Sequence, residues 1–233
     1  MFKVLKLKNI FIFLACLGSL VGIVSIGIVS VVNKENVPKP TYTIVVDAGH
    51  GGRDDGCSGD GGTKESEINL KIAKKLEKYL KALEIRVVMT REDGNGLYSA
   101  DADNFKVSDM NKRIEIINKA NADMVISIHQ NSYVDKTTRG AQVFFQEDDE
   151  NSKGFAESVQ AQLIAQLPSA RSEAIDGDYY LLKESGLPAV IVECGYLTNI
   201  EEELMLNNED YQNKVAYAIM CGVVKYFNLC GND

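Results

Sequence analysis

Histidine is scarce in this 233-residue chain, which holds only His50 and His129. Any chemistry that needs imidazole therefore rests on that pair. Positive charge is scarce too. Residues 1–40 carry five lysines and one glutamate, which leaves 20 basic and 32 acidic side chains in residues 41–233, a charge of about −12. Such a balance argues against a nucleic-acid or anionic-membrane partner for that part of the chain. Internal repeats and low-complexity segments are absent, so Thr41 to Asp233 reads as one domain with a full core. Cysteine is sparse: the domain holds Cys57, Cys194, Cys221 and Cys230. Cys221 and Cys230 fall in one helical pattern, where nine residues span roughly 13 Å, too far for a disulfide. Cys57 and Cys194 could meet near the site, although small buried thiols are the simpler reading.

The first forty residues are of different material. Lys3, Lys6 and Lys8 precede an uncharged apolar run of 23 residues, Ile10 to Val32. A membrane-spanning helix needs about 20. The run is long for a signal-peptide core, and no clean small-x-small cleavage site follows it. Residues 1–32 therefore read as a transmembrane signal anchor, with a cleaved signal peptide as the alternative. The lysines place the N-terminus in the cytoplasm and the bulk of the chain outside. Residues 33–40 (NKENVPKP) have the composition of a short tether.

From Thr41 onward, strand-like and helix-like runs alternate. Thr43–Ala48, Ile85–Met89, Met124–Ile128, Ala141–Phe145 and Ala189–Val192 read as strands. Glu65 to Glu84 carries apolar residues at helical spacing (Ile68, Ile72, Leu76, Leu80). Further helices are expected over about Asp109–Asn121 with Ser108 as N-cap, Lys153–Leu167, Glu201–Leu206 and Tyr211–Phe227. The alternation implies an α/β fold: one domain, a mostly parallel twisted sheet of about five or six strands, and helices on both faces.

Both histidines stand at the ends of apolar strands, where sites collect in parallel sheets. Two imidazoles and one carboxylate make the His₂Glu donor set of a zinc hydrolase. Glu65 opens the helix that follows the loop leaving His50, so a short path can bring both to one ion. Acidic residues favour the first helical turn for dipole reasons alone, and Glu67 competes as the ligand. A hydrolase also needs a group to move a proton. Glu193 stands at the end of the buried run Ala189–Val192, where an unpaired charge is costly, so it is either in an ion pair or functional.

The segments VDAGHGG (46–52), ESEINL (65–70), MTR (89–91), Arg113 with ANAD (120–123), SIHQN (127–131) and VECGYLTN (192–199) occur in that order. Together they resemble the zinc-dependent N-acetylmuramoyl-L-alanine amidases of the amidase 3 type, over essentially all of residues 43–228. The resemblance implies that His50, Glu65 and His129 bind one zinc ion and that Glu193 is the catalytic carboxylate. The implied reaction is hydrolysis of the amide joining N-acetylmuramic acid to L-alanine in peptidoglycan. Asn131 is expected to contact substrate or to cap the loop. No wall-binding repeats are visible, and Ser132 to Arg139 leaves little room for an inhibitory helix.

A small domain behind an N-terminal anchor, with DYYLLK (178–183), resembles the germination-specific amidases of spore formers. That subgroup implies an extracytoplasmic role in the forespore and spore cortex. There it works with a muramic acid deacetylase to form muramic-δ-lactam. An accessory protein is a further expected partner. The alternatives are a general autolytic amidase, a zinc peptidase of the stem peptide, and a peptidoglycan-binding protein without turnover.

Overall fold

The computed structural model describes residues 42–227. The anchor expected over residues 1–32, the tether and Cys230 lie outside the described residues. Among the described residues, no helix is long and apolar enough to cross a membrane.

Six strands form one sheet: β1 (Thr43–Ala48), β2 (Arg86–Met89), β3 (Met124–Asn131), β4 (Gln142–Phe145), β5 (Ile175–Asp176) and β6 (Ala189–Tyr196), in the order β2-β1-β3-β6-β4-β5. The first four strands of that order are parallel. β4 runs antiparallel to β6, and β5 follows β4. The helices are α1 (Glu65–Ala82), α2 (Phe105–Ala120), α3 (Glu150–Gln166), α4 (Tyr180–Glu184), α5 (Ile200–Leu206) and α6 (Glu209–Phe227).

Alternation along the strands divides the core into two. Ile44, Val46, Met124, Ile126, Ile128, Val190 and Val192 pack with Ile68, Ile72 and Leu76 of α1, Phe155 and Val159 of α3, and Val215 and Ile219 of α6. Val45, Val125 and Ile191 point the other way, toward Ile117 of α2 and Leu181 of α4. Helices therefore cover both faces. Strands buried on both sides read as near-continuous apolar runs, which is the signature of parallel sheets.

Several local expectations need correction. α2 starts at Phe105 rather than near Asp109, because the Asn104 side chain accepts from the backbone N–H groups of Lys106 and Val107. Ser108 is therefore inside the first turn and is not the cap; its hydroxyl instead accepts from Ser99 N–H. α3 likewise begins at Glu150, capped by Asp149. β5 and α4, of two and five residues, are too short to show a period. β3 and β6 extend past Ile128 and Val192, so His129 and Glu193 are register partners within the ladder. Cys57, Cys194 and Cys221 are free thiols.

Candidate active site

The C-terminal halves of β1, β3 and β6 bring together the residues expected from sequence to form a site. β1 stops at Ala48 and the chain turns through Gly49 into His50, which adopts a left-handed backbone with φ of 61°. The turn sits against β3: Gly49 N–H donates to the Ile128 carbonyl at 3.1 Å. A Cβ on Gly49 would come within 2.2 Å of the His129 ring, so only glycine lets the two imidazoles converge. Their ring centroids are 4.9 Å apart.

Glu65, the first residue of α1, is 3% exposed and lies between the imidazoles. Its Oε1 is 2.9 Å from His129 Nδ1 and 3.2 Å from His50 Nε2. The backbone N–H of Gln130 donates to the same oxygen at 3.1 Å, and that of Cys57 to Oε2 at 2.8 Å. His50, Glu65 and His129 each offer one donor atom, all within 4.8 Å of one another. Glu67 is exposed and stands outside the cluster. Burial opposes ionisation of Glu65, but hydrogen bonds and charge from both imidazoles hold its carboxyl well below the usual range. Burial would lower His50, yet Glu65 and Asp54 raise it to about 9. Asp54 Oδ2 lies 2.8 Å from His50 Nδ1, the arrangement that fixes tautomer and ring orientation in metal-binding histidines.

Glu193 pairs across the ladder with His129 and is 7% exposed. Its Oε2 is buried without a hydrogen-bond partner. Burial, with the charge of Glu65 adding and the imidazoles opposing, raises its carboxyl to about 7. Among the described residues Glu193 makes no ion pair. Asn131, at the half-buried end of β3, uses Oδ1 to accept from Ser132 N–H at 2.8 Å, a loop-capping contact.

Sequence reasoning missed the frame behind these residues. Arg113, 1% exposed, donates from Nη1 to Asp47 Oδ1 at 2.5 Å, from Nε to Asp109 Oδ2 at 2.7 Å, and from Nη2 to the His50 carbonyl at 2.7 Å. Arg91 donates to the carbonyls of Ala48, Gly49 and Ser66. Burial pushes the Asp47 carboxyl up, but Arg113, Ser127 and Thr90 hold it at about 2. The strongest available signal was the occurrence of Arg91, Arg113 and Asp47 within the quoted segments. A cleft of about 250 Å³ opens beside the cluster, lined by His50, His129, Asp54, Lys106, Tyr179 and Leu181 among others.

Residues 44–225 match the family profile described as N-acetylmuramoyl-L-alanine amidase. The chain is 33% identical over 188 residues to the uncharacterized protein YqiI of Bacillus subtilis, covering 80% of this chain and 85% of that one. It is 31% identical over 202 residues to the germination-specific N-acetylmuramoyl-L-alanine amidase of the same organism, covering 84% of each. The CwlD amidase of Clostridioides difficile, solved in complex with the GerS lipoprotein, superposes with a TM-score of 0.77 and 35% identity. That match covers 81% of this chain and 99% of that one.

Proposed function

This chain belongs to the amidase 3 family of N-acetylmuramoyl-L-alanine amidases, and from that premise we propose that its peptidoglycan amidase activity depends on zinc held by His50, Glu65 and His129. The observation that carries this reading is the convergence of two imidazoles on one buried carboxylate, with a second buried carboxylate, Glu193, left unpartnered beside them. Two nitrogens and one oxygen are the donor set of hydrolytic zinc sites that keep a fourth position open. The fit is also electrostatic: a cation relieves the burial of Glu65 and Glu193, two like charges near each other. Bound there, zinc supplies Lewis-acid polarisation of the scissile carbonyl and acidifies water.

Glu193 takes the proton from the attacking water as its oxygen bonds to the lactyl carbonyl carbon. It then delivers that proton to the alanine nitrogen as the C–N bond breaks. Asp54 orients His50, and Arg113 and Arg91 hold the backbone turn that presents it. Asn131 holds the loop beyond β3 and borders the substrate.

Residues 1–32 anchor the chain in the membrane, residues 33–40 tether it, and residues 41–233 act outside the cytoplasm; the lysine-flanked apolar run supports this. Likeness to the germination-specific amidase and to CwlD supports work in the spore cortex, upstream of a muramic acid deacetylase. The GerS complex of CwlD supports an accessory protein as partner. The test is release of L-alanine amino termini from peptidoglycan by the purified chain. Release should stop with a chelator and return with added zinc; chelator-resistant release would overturn the zinc reading. Cortex made without this protein should lack muramic-δ-lactam, and intact lactam would overturn the spore assignment.

Metal binding should be linked to pH through His50. In the metal-free protein its raised value, about 9, keeps it protonated at neutral pH. A ligand must be deprotonated, so about one proton should leave His50 per zinc bound at pH 7. Affinity should therefore climb as pH rises toward 9 and flatten above it. Calorimetry in buffers of different ionisation enthalpy counts the proton, and a count of zero would remove His50 from the ligand set.

A further inference from the structure

Among the described residues, Arg171 has no partner that suits it. It is half-buried, and its one side-chain hydrogen bond among the described residues is Nη2 donating to the Tyr196 hydroxyl at 3.4 Å. Nε is buried with no acceptor. The other buried arginines are satisfied: Arg113 by Asp47 and Asp109, Arg91 by four backbone carbonyls. Glu202, which bonds to Tyr196 N–H, makes no ion pair with Arg171; its oxygens accept from Gly140 N–H, Tyr196 N–H and Ser169 Oγ–H. An under-satisfied guanidinium in an acidic domain is costly to keep unless something else completes it. Its planar fork matches a carboxylate.

Backbone pairing places this residue two strands from Glu193. Arg171 N–H donates to the Ala141 carbonyl at 2.9 Å, and the next residue, Gln142, is the register partner of Glu193. Two strand spacings separate Arg171 from Glu193, roughly 10 Å between backbones. The seat is stiff. At Gly140, with φ of 109°, an added Cβ would meet the Ser169 carbonyl at 2.0 Å, and Gln160 Nε2 donates to the Arg171 carbonyl at 2.7 Å. The guanidinium lies 5.6 Å from the centre of the Tyr196 ring, which orients it. Tyr179 lines the cleft of His50 and His129, and burial followed by the charges of Glu193 and Tyr196 pushes its hydroxyl up to about 12.

We propose that Arg171, backed by Tyr196, is a carboxylate-binding subsite that engages an acidic residue of the stem peptide one position beyond the scissile L-alanyl amide. Two residues of extended peptide reach about 7 Å past the scissile bond, and the arginine side chain spans the remainder. This subsite rests on the amidase reading above.

The probes are two muramoyl dipeptides that differ only in whether the second residue's α-carboxylate is free or amidated, together with the dipeptides they release. The wild-type chain should bind the free-acid dipeptide about 10- to 100-fold more tightly than the amide. It should discriminate between the muramoyl substrates in KM to a similar degree. Arg171→Gln should erase the difference, and Arg171→Lys should restore only part of it, because charge returns without the fork. Equal wild-type affinity for acid and amide, or a variant that weakens both alike, would overturn the subsite. Discrimination without any turnover would sink the amidase reading and leave the subsite standing. Melting curves of each variant report the fold independently of both.

Discussion

Glu193→Gln should reduce turnover about 10³-fold, the middle of the range for loss of a general acid–base group, while zinc still binds. The substitution keeps shape and removes only the ability to hold and release a proton. Glu193 is outside the His50–Glu65–His129 cluster, so metal content should stay near one per chain. Loss of zinc together with activity would instead make Glu193 a ligand. Stability supplies a second readout with a definite sign. The carboxyl is raised to about 7 from an ordinary 4.5, so the folded metal-free protein favours the protonated form more than the unfolded chain does. Its destabilising contribution is absent below the unfolded value, grows as pH rises, and is complete above about 7. The metal-free Gln variant should therefore match wild type at pH 4 and exceed it at pH 8 by on the order of 3 kcal/mol, taking 1.36 kcal/mol per pKa unit. Denaturant melts at the two pH values check this. A buried carboxyl raised toward neutral pH at a stability cost is what a general acid–base role requires.

The two histidines were legible because each ends an apolar run, and a buried strand is the least ambiguous pattern in such a chain. Glu65 was separable from Glu67 only through family resemblance, since both occupy the first turn of α1 and suit the helix dipole equally. Three-dimensional packing distinguishes them: Glu65 is buried against His129, and Glu67 faces solvent. The Ser108 expectation failed because Asn104, four residues earlier, is an equally good cap and captures two backbone N–H groups. Asp54, Arg113 and Arg171 act through partners brought close by the fold. Arg113 meets the His50 carbonyl across 63 residues of chain, and no periodicity encodes that meeting. β4 escaped its orientation for the same reason: an apolar run reads alike in either direction.

Arg113→Met should lower the melting temperature on the order of 10 °C. The side chain is 1% exposed and serves two carboxylates and two carbonyls. Removing one partner of a buried ion pair typically costs about 3–5 kcal/mol, because the abandoned charge stays buried. For a domain of this size each kcal/mol shifts the midpoint by about 2–4 °C. The sign of the pH dependence identifies the cause. Asp47 is held at about 2 against an ordinary 3.8, so its ionised form contributes stability in full above 3.8, and that contribution is lost as pH falls through about 2. The deficit of Arg113→Met should thus be largest near neutral pH and shrink toward pH 2; a constant deficit would mean lost packing volume and nothing electrostatic. Replacing Asp47 as well, in Arg113→Met with Asp47→Leu, should recover part of the loss, since no orphaned carboxylate remains. Zinc affinity should not recover with it. Arg113 also pins the carbonyl of His50, whose left-handed backbone needs that restraint to present the imidazole, and outer partners of metal ligands are worth about 10- to 100-fold in affinity. A double variant that melts near wild type and still binds zinc weakly would separate the two duties of one guanidinium: neutralising a buried acid and aiming a ligand.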